Sequence, residues 1–121
     1  MKQFKRADRM RQQMLRDVRE MLDPECLQNL TSLVTFTDVE MTNDMRYAII
    51  YYSVLGDELQ KEKTASYLQR VTNRVQAKIG RLLAVKYIPE ISFKFDPSIE
   101  RGMRIQSLLN EISTDEQNDD E

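Results

Sequence analysis

Tyr47-Ala48-Ile49-Ile50-Tyr51-Tyr52-Ser53-Val54-Leu55 (YAIIYYSVL, residues 47–55) carries no charge along its whole length. Its β-branched and aromatic side chains suit a pleated strand, and it is too poor in charge for a surface helix. Just upstream, Val34, Phe36, Val39 and Met41 mark a first strand. A change of phase near Thr37-Asp38 predicts a bulge or a bend within it. Thr42-Asn43-Asp44 between the two runs is turn chemistry, because Asn and Asp tolerate left-handed backbone and bond to it locally. Adjacent strands with so short a loop make an antiparallel hairpin.

Working downstream, a helical period returns from about Asp57. Leu68, Val71, Val75, Ile79 and Leu82 form a stripe reaching Leu83, which predicts one helix of roughly 30 residues. Pro89 marks a boundary, and Glu90 to Phe95 (EISFKF) alternates, with Ile91, Phe93 and Phe95 one way and Ser92 and Lys94 the other. Asp96-Pro97-Ser98 then restarts a helix with Ser98 as its cap, and Ile99, Met103, Leu108, Leu109 and Ile112 give the apolar side. Upstream of the hairpin, Phe4, Ala7, Met10, Met14, Val18 and Met21 recur in steps of three and four, one face of a helix over Gln3 to Leu22. At about 100° per residue, Lys2, Lys5, Arg6, Arg9 and Arg16 project on the other side. Asp23-Pro24 is expected to end that helix, since the residue before proline is pushed out of helical geometry, and an irregular stretch follows to about Ser32. Helix, strand, strand, long helix, strand, helix is an α+β order with a small sheet. Without repeat or linker, residues 1–112 read as a single domain, and residues 113–121 as a disordered acidic tail.

The chain has 121 residues, 40% hydrophobic and 31% charged, the balance of a folded domain with one modest core. The missing residue types exclude more than the averages do. There is no His, so imidazole relays, His-based triads and His metal ligands are ruled out. The glycines at positions 56, 80 and 102 lie too far apart for a phosphate loop. A lone cysteine, Cys26, points to a reducing compartment. No run approaches the roughly 20 apolar residues of a membrane span, and no signal-peptide core follows Met1. The expectation is a cytoplasmic protein that is not an enzyme and takes no cofactor, metal or small-molecule substrate.

A net charge of −2 hides a strong asymmetry. Residues 111–121 (EISTDEQNDDE) hold six acids and no base, which leaves 18 bases against 14 acids in the rest. Seven bases fall in residues 1–20, and seven more in residues 61–88, where Glu62 alone opposes them. On the wheel of the long helix Lys63, Arg70, Arg74 and Arg81 fall within roughly 40° of one another, away from the apolar stripe. A run of Lys and Arg on one side of a helix is most often a solvated surface. Here two helices repeat it with little acid to balance, and phosphate neutralisation by several bases is what grips RNA. Tyr47, Tyr51 and Tyr52 are read as core or edge cover before base-stacking platforms. Asp38, Glu40 and Asp44 are read as turn and edge charges before a Mg²⁺ site. Cys26 has no activating neighbour, and the methionines are core fillers first. The alternative in a different class is a protein-interaction module that docks a partner through its amphipathic helices and has no affinity for RNA.

Two stretches give a more specific pointer. Val39-Glu40-Met41-Thr42-Asn43-Asp44-Met45-Arg46-Tyr47-Ala48 resembles the hairpin of the bacterial ribosome-binding factor A family. So does Ile88-Pro89-Glu90-Ile91-Ser92-Phe93-Lys94-Phe95-Asp96-Pro97-Ser98-Ile99, followed by Gly102-Met103-Arg104-Ile105 and Leu108-Leu109. The basic, amphipathic first helix is similar too, so the resemblance covers nearly everything but the acidic tail. It implies a type II KH-like fold, a three-stranded sheet with helices packed on one face. It also implies a monomer that binds the free or immature 30S small ribosomal subunit and its 16S rRNA, assists late rRNA processing and subunit maturation, and supports growth in the cold. The family replaces the KH-type GxxG loop by an Ala-x-Gly kink, and the matching positions here are Val71, Thr72 and Asn73. This chain departs from the pattern at both outer residues. A kink at Asn73 and a straight helix both stay open. The RNA-contacting set that follows is Lys5, Arg6, Arg9, Arg70, Asn73, Arg74, Lys78 and Arg81.

Overall fold

The computed structural model describes residues 2–83, 87–98 and 109, with side chains from residue 6 onward. In chain order the elements are α1 (Lys2–Asn29), β1 (Leu33–Met41), β2 (Tyr47–Leu55), α2 (Glu58–Leu83) and β3 (Glu90–Phe95). The sheet runs β1-β2-β3, so the uncharged strand lies in the middle. β1 pairs with β2 antiparallel, from Leu33 opposite Leu55 to Met41 opposite Ala48. β3 pairs with β2 parallel, from Glu90 opposite Tyr47 to Phe95 opposite Tyr52. Parallel neighbours need a long crossover, and α2 is that crossover.

Alternation sets the inner face of the sheet. Val34, Phe36 and Val39 of β1, Ala48, Ile50, Tyr52 and Val54 of β2, and Ile91 of β3 are buried. The register shifts between Phe36 and Asp38, the expected bulge, and this extra residue returns Val39 to the inner face after Phe36. Met14, Val18 and Leu22 of α1, and Leu68, Val75 and Ile79 of α2, close over that face with no exposed surface or almost none. Each such side chain contributes about 1.5–3 kcal/mol by leaving water. Phe36 meets Phe93 at 6.1 Å between ring centroids, and Tyr52 meets Phe95 edge-on at 5.9 Å.

α1 does not stop at Asp23-Pro24; it runs seven residues past Leu22, from Asp23 to Asn29. Pro24 has no N–H for the carbonyl of Glu20, but both residues are exposed, where solvent substitutes for the missing donor. Tertiary contacts carry the helix onward: Cys26 is 2% exposed in the core and Leu30 packs against it. The Leu30 N–H reaches the Cys26 carbonyl at 2.9 Å, so the helical ladder closes past the proline. In the hairpin turn, the Met45 N–H bonds to the Thr42 carbonyl and the Thr42 N–H to the Tyr47 carbonyl. The left-handed residue is Met45, at φ 58°, rather than Asn43 or Asp44. Asp44 instead accepts from the Thr42 hydroxyl and the Arg46 N–H, and that pairing pushes the turn's awkward backbone onto Met45.

α2 begins with a reciprocal cap. Asp57 Oδ1 accepts the Gln60 N–H at 2.8 Å, and Gln60 Oε1 accepts the Asp57 N–H at 2.9 Å. From there it is one α-helix through residues 71–73, and Asn73 keeps negative φ, so no break replaces the family's kink. The Thr72 hydroxyl bonds back to the Leu68 carbonyl, which occupies the side chain inside the ladder. β3 is tied at its outer edge, where Gln76 Oε1 of α2 accepts the Ile91 N–H at 3.2 Å. After β3, Asp96 Oδ1 accepts the Ser98 N–H at 2.9 Å. The capping side chain is therefore Asp96 rather than Ser98, with Pro97 in the first-turn position that needs no N–H. Apart from Ser98 and Leu109, the helix expected from there to Ile112, and the acidic tail, lie outside the described residues.

Candidate nucleic-acid interface

The two helices lie antiparallel across the sheet. Glu25, near the end of α1, pairs with Arg74 of α2 at 2.8 Å. Beyond that pair, Asn29 and Leu30 face Leu59, Lys63, Tyr67 and Arg70 across a cleft of about 620 Å³. At the other end, Arg6, Arg9, Met10 and Arg16 of α1 share a cleft of about 460 Å³ with Met45 of the hairpin turn and Leu83 of α2. The basic half of α1 thus meets the last turns of α2.

Arg6, Arg9, Arg70, Arg74, Lys78 and Arg81 are exposed, and Arg16 lines the cleft beside Arg9. Arg74 is committed in part to Glu25, whose carboxylate raises the guanidinium above its ordinary value. The side chain of Lys5 lies outside those described. Asn73 lies apart from the basic set: it lines a third cleft, of about 510 Å³, with Tyr52, Gln69, Thr72, Ile91 and Phe93 between α2 and β3. Two further arginines of the first helix turn the other way. Arg11 and Arg19 reach main-chain carbonyls of β1. Arg16 belongs with Arg6 and Arg9 by the same helical spacing that marked them in the sequence. Met45 gave no signal there, because left-handed backbone at Met has no pattern to read.

The outer face of the sheet has the opposite sign. Asp38, Glu40 and Glu90 are exposed, beside the single base Lys94 on the described strands. Tyr52 points into the core, whereas Tyr47 is 54% exposed on the outer face. Tyr51 donates to Glu40 at 2.9 Å, and this bond raises the phenol above its usual range. Asp38, Glu40 and Asp44 do not converge on a common point; each serves a local donor, namely the Val39 N–H, the Tyr51 hydroxyl and the Thr42 hydroxyl. Cys26 is buried, with its thiol pushed up to about 11 by desolvation and by Asp23 and Glu25 nearby. No helix among the described residues is long and apolar enough to cross a membrane.

Comparison with known proteins agrees with this arrangement. The family model for ribosome-binding factor A matches residues 6–109. The ribosome-binding factor A of Geotalea uraniireducens (strain Rf4) is 34% identical over 117 residues, 97% of this chain and 96% of that protein. Its counterpart in Clostridioides difficile (strain 630) is 43% identical over 94 residues, 76% of this chain and 73% of that one. The crystal structure of ribosome-binding factor A from Thermus thermophilus is similar at a TM-score of 0.60 and 21% identity, covering 73% of this chain and 93% of that one. That last likeness speaks for the fold, which is KH-like. With the family model spanning both helices and all three strands, and a relative one-third identical from end to end, the chain belongs to the ribosome-binding factor A family.

Proposed function

We propose that this protein is a cytoplasmic ribosome assembly factor. It binds the free or immature 30S subunit and its 16S rRNA, and assists late rRNA processing and maturation. It works through binding energy alone. A binder shifts an equilibrium only by its preference between states, so the mechanism requires tighter binding to immature or free subunits than to translating ribosomes.

One observation carries the reading: exposed bases outnumber acids along the described helices, while carboxylates outnumber the one base on the outer face of the described strands. Phosphates are drawn to one side and repelled by the other, which fixes orientation on RNA as well as affinity. The contacts we assign are Lys5, Arg6, Arg9, Arg70, Arg74, Lys78 and Arg81, with Arg16 added beside Arg9. Asn73 would meet RNA only through its separate cleft against β3. Residues 1–112 act as one unit in this reading.

Co-sedimentation with free small subunits and with whole ribosomes, over a salt series, tests it. The expected result is selective binding to free subunits that weakens steeply with salt. Folded protein that fails to bind even at low salt would return the helices to the protein-docking alternative.

A further inference from the structure

Asp17 stands where the first helix should be apolar. By helical spacing it falls beside Met10, Met14 and Met21, and it is only 7% exposed. Its Oδ1 accepts the Gln13 amide N–H at 2.9 Å, and its Oδ2 is buried with no hydrogen-bond partner. A buried carboxylate with one oxygen unpaired costs free energy, so stability does not explain its presence. The same chain of bonds continues to the surface. Gln13 Oε1 accepts from Arg16 Nη2 at 2.8 Å, and Gln13 and Arg16 both line the basic cleft with Arg6 and Arg9. Spacings of four residues from Gln13 to Asp17 and of three from Gln13 to Arg16 put these side chains within reach of one another on α1.

We infer that Asp17 and Gln13 are positioning residues that preset Arg16 to receive a backbone phosphate in this cleft. The inference rests on the RNA-binding reading above and adds to it one phosphate with a fixed seat. A carboxylate only accepts, so it takes the NH₂ end of Gln13 and turns the carbonyl end toward Arg16. That carbonyl engages one guanidinium nitrogen and leaves the rest of the fork for a phosphate, which arginine meets through two parallel bonds. Asp17 is buried and does not itself reach RNA, so its effect on binding passes through Gln13. Among the described residues Arg6 and Arg9 have no comparable bond. RNA must order those two side chains on arrival, whereas Arg16 has part of that ordering done beforehand. The cleft thus combines one aimed arginine with two that adapt.

Affinity for free small subunits, measured at one salt concentration for Asp17→Ala with and without Arg16→Ala, tests it. Asp17→Ala should weaken binding by about two- to tenfold, the cost of ordering one long side chain at an interface, and only while Arg16 is present. Such dependence of one substitution on another isolates their coupling. Gln13→Met keeps the length of the side chain without its amide. It should give the same loss in the same background, and it carries the test if Asp17→Ala does not fold. Melting curves establish that each variant is folded, and the dependence on Arg16 decides: a merely structural Asp17 would cost the same affinity in the Arg16→Ala protein. An equal loss in both backgrounds, or no loss in either, would overturn the positioning role while leaving RNA binding intact. Failure of the native protein to bind free subunits at all would overturn the functional reading instead.

Discussion

The guanidinium of Arg19 closes on the main-chain carbonyl of Phe36, with Nε at 3.0 Å and Nη2 at 2.8 Å. The bulge in β1 begins at that carbonyl. A bulge disrupts the ladder and leaves main-chain groups without their strand partner, and β1 is an edge strand with no neighbouring strand on its far side among the described residues. Arg19, together with Arg11 on the Val39 carbonyl at 3.4 Å, fills that edge from α1. Two of the bases in the first helix therefore serve the fold, and Arg6, Arg9 and Arg16 stay with the cleft.

Arg19→Ala should cost about 1–2 kcal/mol, the range for losing a charged donor to a partly buried carbonyl. Urea denaturation would read the loss as a lower midpoint. Ribosome binding by the folded variant should stay near the native level, and a large drop there would put Arg19 in the interface after all.

Pro24→Ala restores an N–H to the middle of α1. The gain from mending the ladder exceeds the loss of proline's restraint on the unfolded chain, and the net expectation is about 1–2 kcal/mol of added stability. Thermal melting would show it. An unchanged or lower melting temperature would mean that α1 gains nothing from the missing bond.

The Cys26 thiol, at about 11 in the fold against 9.0 for the free group, stays protonated where an unfolded chain begins to ionise. A raised folded-state value contributes stability that is present below about pH 9 and is lost as pH rises through about 11. Cys26→Ala should remove that portion of the alkaline decline. Tyr52 and Tyr67, also raised by burial, add to the same decline. Iodoacetamide should label the native thiol at least about tenfold more slowly than the thiol in urea.

Arg70→Glu combined with Arg81→Glu reverses charge on the helical side without disturbing the Glu25–Arg74 pair. Affinity for free small subunits should fall, and the slope of log affinity against log salt should flatten by about 0.7–0.9 for each phosphate no longer neutralised. Lys94→Glu, on the opposite face, is the matched control and should leave both quantities nearly unchanged.

Strand and helix positions were legible because each element keeps its own period: two along Glu90 to Phe95, and three to four along Leu68, Val75 and Ile79. The bulge was legible as a break in phase between Phe36 and Val39. What escaped depends on groups distant in sequence. Nothing local reveals that Cys26 and Leu30 will hold α1 together past Pro24, or that Asp44 will pass the left-handed turn position to Met45. The basic faces showed as surplus charge. The wheel already set Arg16 with Arg6 and Arg9 and left Arg11 and Arg19 nearer the apolar stripe, but it did not show that those two would meet the Val39 and Phe36 carbonyls. Asn73 was singled out by a kink that α2 does not have, and it lines a cleft against β3 instead.

The central place of β2 also governs what happens to an incomplete chain. During synthesis α1, β1 and β2 emerge first, and all of α2 must follow before Glu90 to Phe95 can arrive. Until then one edge of an uncharged, proline-free, β-branched and aromatic strand lies open, the composition that seeds cross-β aggregation. β3 is short and carries a lysine, and Gln76 occupies one of its outward N–H groups. The last strand is thus the safeguard of the middle one: a polypeptide halted near Leu83 would present its most adhesive stretch to every other nascent copy.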